Sequence, residues 1–182
     1  GRPLKELSLW SLGVTIAVAD ALERELSLEC KIKWPNDLYV KDKKLGGVLL
    51  ETTSLPSDDV AVVLGVGLNV AWHPDPALVR RPVTCISKHT DTSVDLSLVA
   101  AVVSCALVDM CRLSHPDLEA WIMSSWARRD MLLNQPVVVP TWGEGPGIAR
   151  GLSHDGGLEV EFAGELRIVY AGEVSLGHVD TQ

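Results

Sequence analysis

The stretch Lys31-Ile32-Lys33-Trp34-Pro35-Asn36-Asp37, followed by Lys44-Leu45-Gly46-Gly47-Val48-Leu49 and Gly65-Val66-Gly67-Leu68-Asn69, decides how this chain reads. Cys30, Ile32 and Trp34 alternate with Lys31 and Lys33, the period of a strand, and Pro35 ends it because proline has no amide proton for a ladder. In an extended segment Lys33 faces away from Ile32 and Trp34, so its ammonium can be aimed into a pocket while its neighbours pack. Pro35 then lets Asn36 and Asp37 turn toward whatever Lys33 faces. Gly46-Gly47 and Gly65-x-Gly67 fall in neighbouring apolar segments, and glycine inside a strand marks a bulge or a close backbone approach to a ligand. A lysine, a carboxylate and bare backbone on adjacent strands suit an anionic small molecule bound against a sheet. Each piece alone also reads as an ordinary turn or bulge, with Asn69 either a turn residue or an amide that hydrogen-bonds a base or phosphate.

Outward from this centre, apolar residues at helical spacing from Leu7 to Leu26 predict a packed amphipathic helix, with Asp20, Glu23, Arg24 and Glu25 largely opposite. Tyr39 to Leu45 reads as a hairpin with a charged tip, Leu45 to Thr53 as its return strand and Val60 to Val70 as a further strand. The proline-bearing stretch from Ala71 to Asp95 reads as a surface connection with a short helix. Asp95 can cap a helix running to about Leu113, with Leu98, Val99, Val102, Val103, Ala106 and Met110 as its buried stripe. Ser114-His115-Pro116-Asp117 suits the start of a second helix, which ends near Arg128-Arg129 and pairs antiparallel with the first. The two arginines complement its dipole. After Asn134, short apolar runs separated by Pro and Gly turns imply a small β-barrel. A domain boundary is expected near residues 130 to 135.

Composition narrows the function classes. Of 182 residues, 47% are hydrophobic and 22% charged, a globular balance with no segment long and apolar enough to span a bilayer. The N-terminus, Gly1-Arg2-Pro3-Leu4-Lys5-Glu6, has no signal-peptide pattern, so a cytoplasmic location is expected. The net charge of −8 and scattered basic residues argue against a general nucleic-acid surface. Cys30, Cys85, Cys105 and Cys111 show no Cys-x-x-Cys spacing and read as buried free thiols. The histidines at His73, His89, His115, His154 and His178 lack metal-ligand spacing, and no Gly-x-Ser-x-Gly elbow or Walker loop is present.

The blocks Lys31 to Asp37, Lys44 to Leu49 and Gly65 to Asn69, in this order, resemble the catalytic domain of biotin protein ligases. The resemblance runs through the Leu98 to Trp126 helices into a C-terminal module from Asn134-Gln135-Pro136-Val137 to Gly172-Glu173-Val174-Ser175-Leu176. It implies an α+β fold: part of a class II synthetase-like catalytic domain, a mixed sheet with packed helices, over residues 1–132, then a small SH3-like β-barrel over 133–182. It implies ATP-dependent formation of biotinyl-5'-AMP and transfer of biotin to a lysine of a carboxylase carrier domain. Lys33 matches the lysine that neutralises the biotin carboxylate and adenylate phosphate. Trp34, Asn36, Asp37, Gly46, Gly47, Gly67, Leu68 and Asn69 match substrate- and ATP-binding positions, with Asp37 as the Mg²⁺ candidate. The family's Gly-Arg-Gly-Arg-x-Gly-Arg loop is absent from these residues, so the chain is expected to be part of a ligase and inactive alone. A second copy or an N-terminal segment is the expected partner, and the repressor subgroup's DNA-binding module has no counterpart. Two alternatives remain: a non-catalytic paralogue that binds the carrier domain or a complete ligase, and a lipoate ligase.

Overall fold

In a computed structural model of the chain, residues 6–54, 60–91, 93–143, 145–170, 172 and 174–177 are described. Gly1-Arg2-Pro3, Glu173 and His178 lie outside them. The first helix, α1 (Glu6–Leu26), is the axis of the molecule. Every residue from Leu12 to Val18 is buried, together with Ala19, Ala21 and Leu22. The expected amphipathic pattern is therefore wrong for the middle of this helix: packed on several sides, it has little solvent face left for polar residues there. Thr15 joins the interior because its hydroxyl donates to the Ser11 carbonyl, 2.8 Å away.

On one side of α1 lies a four-stranded antiparallel sheet, β1 (Lys31–Lys33), β2 (Asp37–Val40), β3 (Lys43–Ser54) and β4 (Val60–Leu68), in that spatial order. Two parallel bridges, Ile32 to Asp130 and Lys44 to Val83, make it mixed at its margins. The β2–β3 hairpin turns on Lys41 and Asp42, both at positive φ (48° and 60°), the conformation a two-residue reversal between twisted strands requires. Gly65 and Gly67 do not interrupt β4, which pairs with β3 from Ser54–Val60 to Gly46–Leu68.

The connection after Asn69 holds a one-turn helix, α2 (Pro76–Val79), and a 3-10 turn, Ile86–Lys88. Helix α3 (Leu96–Cys111) starts at Asp95, whose carboxylate accepts from the Ser97 amide, and α4 (His115–Trp126) starts at Ser114. Both rest chiefly on α1 rather than forming the expected antiparallel pair. Leu98 is consequently exposed, outside the stripe formed by Val99, Val103 and Met110. Cys105 and Cys111 are exposed too; only Cys30 and Cys85 are the buried thiols expected, and burial pushes Cys30 up to about 12.

Arg128 and Arg129 do more than complement a helix end. Arg129 is only 1% exposed; its guanidinium donates to Asp20 (2.6 Å), to Glu23 and to the Cys30 carbonyl (2.9 Å), while Arg128 reaches the same two carboxylates at 2.8 Å. The bond to Arg128, with Arg129 adding to it, holds the Glu23 carboxyl below its ordinary range. This cluster ties α1 to the segment that bridges β1, since the Ile32 amide donates to Arg129 and the Met131 amide to Ile32.

The C-terminal residues form a five-stranded antiparallel sheet ordered β8-β7-β6-β5-β9, with β5 Pro136–Val138, β6 Gly147–Leu152, β7 Leu158–Phe162, β8 Glu165–Val169 and β9 Ser175–Leu176. It packs on α1 through Gly156, where a Cβ would lie 3.0 Å from Leu12. Among the described residues, no helix is long and apolar enough to cross a membrane.

Candidate functional site

The register of the first sheet assembles the site. Lys33 pairs with Asp37, Asp37 with Gly47 and Gly47 with Gly67, one row across all four strands. Directly opposed residues in antiparallel strands share a face, so the lysine, the carboxylate and two bare positions lie side by side. The next row, Ile32, Leu38, Gly46 and Leu68, faces the other way, and its first two members are fully buried. A bulge in β3, where Leu45 is the extra residue between the pairs Leu38–Gly46 and Tyr39–Lys44, shifts the alternation of that strand, so that Lys44 and Gly47 face the same side.

That shift explains the charge arrangement. Lys44 Nζ donates to Asp37 Oδ1 at 2.6 Å, and Arg81 Nη1 stands 3.9 Å from Asp37 Oδ2. A Cβ on Gly47 would sit 2.8 Å from Asp37 Oδ1, so this glycine makes room for the carboxylate. Gly46 solves a different problem: a Cβ there would lie 2.2 Å from the Gly67 carbonyl oxygen. Gly67 is open, since the nearest atom to a Cβ would be the Gly47 carbonyl oxygen at 3.8 Å. Of the sequence-derived glycines, Gly67 is thus the one whose missing side chain leaves space for something else.

The space is a cleft of about 560 Å³ lined by Lys44, Gly46, Gly47, Gly67, Leu68, Asn69, Pro74, Val79, Arg81 and Val83. It gathers Gly46, Gly47, Gly67, Leu68 and Asn69 as the sequence predicted. Lys44 and Arg81 were missed. Lys44 reads as part of a charged hairpin tip and Arg81 as part of a surface connection, and no local pattern marks the pairing of Lys44 with the 82–84 segment that brings both to the cleft. The Lys44 amide donates to Pro82, and the Thr84 amide to Lys44, at 3.0 and 2.9 Å. Asn69 secures the same segment: its side-chain amide donates to Thr84 (2.9 Å), and its carbonyl accepts from Ile86 (2.9 Å).

The remaining predicted residues stand apart. Lys33 is half-buried on the shared row but does not line this cleft. Trp34 is 2% exposed; its indole N–H donates to the Gly156 carbonyl (3.1 Å), which leaves its ring to line a second cleft of about 320 Å³ between the two sheets. Asn36 lines that cleft as well, and its amide donates to Val48 (2.5 Å) while the Val48 amide donates back (3.0 Å). The Trp34–Pro35 peptide is cis. Asp37 does not fit a resident Mg²⁺ ion: it is one carboxylate already held between an ammonium and a guanidinium. Among the described residues no cluster of three or more His, Cys, Asp or Glu could complete such a site.

Comparison with known proteins gives this arrangement a family. The profile of the Biotin/lipoate A/B protein ligase family matches residues 2–69, and that of the Biotin protein ligase C terminal domain matches residues 132–177. The chain belongs to the biotin protein ligase family. Its similarity to the ligase family extends beyond the matched segments. The bifunctional ligase/repressor BirA of Escherichia coli is 30% identical over 167 residues, 91% of this chain and 52% of that protein. The biotin–[acetyl-CoA-carboxylase] ligase of Paracoccus denitrificans is 28% identical over 90% of this chain and 72% of its own length. The chain thus spans about half the length of the E. coli relative. The biotin protein ligase of Aquifex aeolicus superposes in its apo form with a TM-score of 0.80 at 25% identity, covering 95% of this chain and 77% of that one. Its complex with biotin and ATP gives 0.68 at 27%, over 95% and 72%.

Proposed function

We propose that this chain supplies the sheet wall and C-terminal module of an ATP-dependent biotin protein ligase, residues 1–132 belonging to the catalytic domain and 133–182 to an SH3-like module. The single observation that carries the reading is the row Lys33–Asp37–Gly47–Gly67 beside the Asn69 cleft, in a chain similar over most of its length to ligases. In the first step a carboxylate oxygen of biotin attacks the α-phosphorus of ATP. The bond to the β-phosphate breaks, and pyrophosphate leaves with the electron pair. In the second, the amine of a carrier-domain lysine attacks the biotinyl carbonyl, AMP departs, and the amine's proton is lost to solvent. Both steps need charge neutralisation and alignment more than a strong base. Lys33 supplies the neutralising charge between carboxylate and phosphate, the glycine row lets the biotin ring lie on backbone, and Asn69 borders the nucleotide. Asp37 orients Lys44. Mg²⁺, if used, arrives with the nucleotide phosphates, and a cytoplasmic location belongs to the same reading.

The match to the biotin-specific C-terminal profile favours biotin over lipoate. The test is Lys33→Ala in the full-length protein, with radiolabelled ATP and biotin. Biotinyl-adenylate formation should fall by about a hundredfold, the usual cost of removing one charged stabiliser from a reacting centre, while the fold is retained. Unchanged formation removes Lys33 from the mechanism; carrier-domain binding with no adenylate from the wild type points instead to a docking paralogue.

A further inference from the structure

We propose that Arg81 is the arm that binds the leaving β- and γ-phosphates of the nucleotide, with Asp37 as its resting counter-charge; this rests on the ligase reading above. The cleft has two cations on its wall, and they are unequally committed. Lys44 Nζ is hydrogen-bonded to Asp37 at 2.6 Å, whereas Arg81 Nη1 is 3.9 Å from the other carboxylate oxygen, a separation at which attraction is coulombic and no hydrogen bond forms. A guanidinium has five donors in a planar fork that matches two phosphate oxygens at once, so moving from this loose pair to a phosphate gains directed bonds. The backbone behind it is fixed. Arg80, at φ 51°, reverses the chain after α2, and the Pro82 carbonyl accepts from the Lys44 amide, which places Arg81 on the cleft wall while Arg80, exposed, does not line it.

The rest of the cleft sorts the ligand's chemistry. Gly67 presents open backbone and Val79 and Val83 an apolar side, surfaces for a ring or base, so the anionic end of the ligand is left to the Arg81 wall. A polyphosphate carries several negative charges and can engage Arg81 while Lys44 stays with Asp37; biotin's single carboxylate is already matched by Lys33 in the proposed mechanism.

The experiment compares Arg81→Ala, Arg81→Lys and Arg80→Ala in the full-length protein. Arg81 is half exposed and only loosely paired, so its loss leaves the fold intact, and Arg80→Ala is the neighbouring charge control. Arg81→Ala should raise KM for ATP and the calorimetric Kd for inorganic pyrophosphate by roughly ten- to a hundredfold, the value of a charged hydrogen bond, with KM for biotin within about twofold. Arg81→Lys should recover part of the loss, and Arg80→Ala should match wild type. Arg81→Ala behaving like Arg80→Ala overturns the proposal, as does a change falling on biotin instead of ATP. A wild type that binds pyrophosphate through Arg81 yet forms no biotinyl-adenylate would keep the anion site and refute the ligase reading.

Discussion

The two sheets of this molecule use glycine differently. In the C-terminal sheet Gly151, Gly156 and Gly164 have φ of 117°, 83° and 85°, so these three serve the backbone, allowing bulges and tight turns, while Gly147 admits the Glu161 carbonyl and Gly157 the Ile168 side chain, close approaches within the sheet itself. In the first sheet Gly46, Gly47, Gly65 and Gly67 have ordinary strand conformations inside long ladders. There the missing Cβ matters: it admits a neighbouring carbonyl at Gly46, a carboxylate at Gly47 and open space at Gly67. Charges differ in the same sense. Arg150 pairs with Glu161 at 2.8 Å, and Arg167 lies over the Trp142 and Phe162 rings, on the C-terminal sheet's surface. In the first sheet Lys33 and Asp37 share a row with bare backbone. Glycines that solve turns or admit a neighbouring strand belong to folding; Gly67, whose strand face stays open, is the one placed for contact with another group.

The strongest way to break this comparison is to fill both kinds of glycine. Gly46→Ala puts a methyl 2.2 Å from a backbone oxygen and 2.9 Å from the Leu68 side chain, so the β3–β4 ladder must part. A loss of about 3 kcal/mol or more in denaturant unfolding is expected, the range of severe overpacking. Gly164→Ala meets nothing within 4 Å and carries only the strain of its positive φ, about 1 kcal/mol. Equal losses at the two positions would erase the distinction. A smaller effect sharpens it where the sheets meet. Trp34→Phe keeps an aromatic ring but strips the donor from the Gly156 carbonyl and empties the space of the second indole ring, which together should cost about 2–3 kcal/mol. If Trp34 sets the Lys33 turn, the kcat for adenylation should fall with little change in KM for biotin. A stability loss alone would confine the contact to folding.

Much of this was legible in the sequence because local patterning agreed with the outcome. Asp95 and Ser114 cap the helices they were expected to start, and the charged hairpin tip closes at Lys41-Asp42. Gly46, Gly47, Gly67, Leu68 and Asn69 come together because they occupy the paired end of β3 and β4, a neighbourhood that follows from strand pairing. What patterning could not supply is tertiary context. The apolar residues of α1 read as one face, yet burial wraps round the helix and takes in Ala19 as well, because elements distant in sequence cover the other sides. Arg129 reads as a helix-end charge until Asp20 and Glu23, more than a hundred residues earlier, are seen to enclose it. Lys44 and Arg81 escaped for the same reason: the bulge and the 82–84 pairing that bring them to the cleft have no local signature.

The mildest prediction uses pH to separate the cleft from the C-terminal sheet. His89 accepts or donates at 2.8 Å to the Thr84 hydroxyl, and burial, then the positive charges of Lys41, Lys43 and Lys88, hold its pKa below the ordinary histidine value. The native segment therefore keeps His89 neutral where an unfolded chain would protonate it. Above the unfolded-state value near 6.5 the contribution is constant; as pH falls from there toward the lowered folded value, the opened form binds more protons and stability is lost. The cleft wall from Thr84 to Ser87 should lose hydrogen-exchange protection over that window, through the amides that donate to Lys44, Asn69 and Val70. The β6–β7 ladder bonds within its own sheet, away from His89, so its protection should stay level. His89→Gln should flatten the response. A parallel loss in both sheets would trace the effect to global acid sensitivity, and the two regions would then be coupled more tightly than the Trp34–Gly156 contact implies.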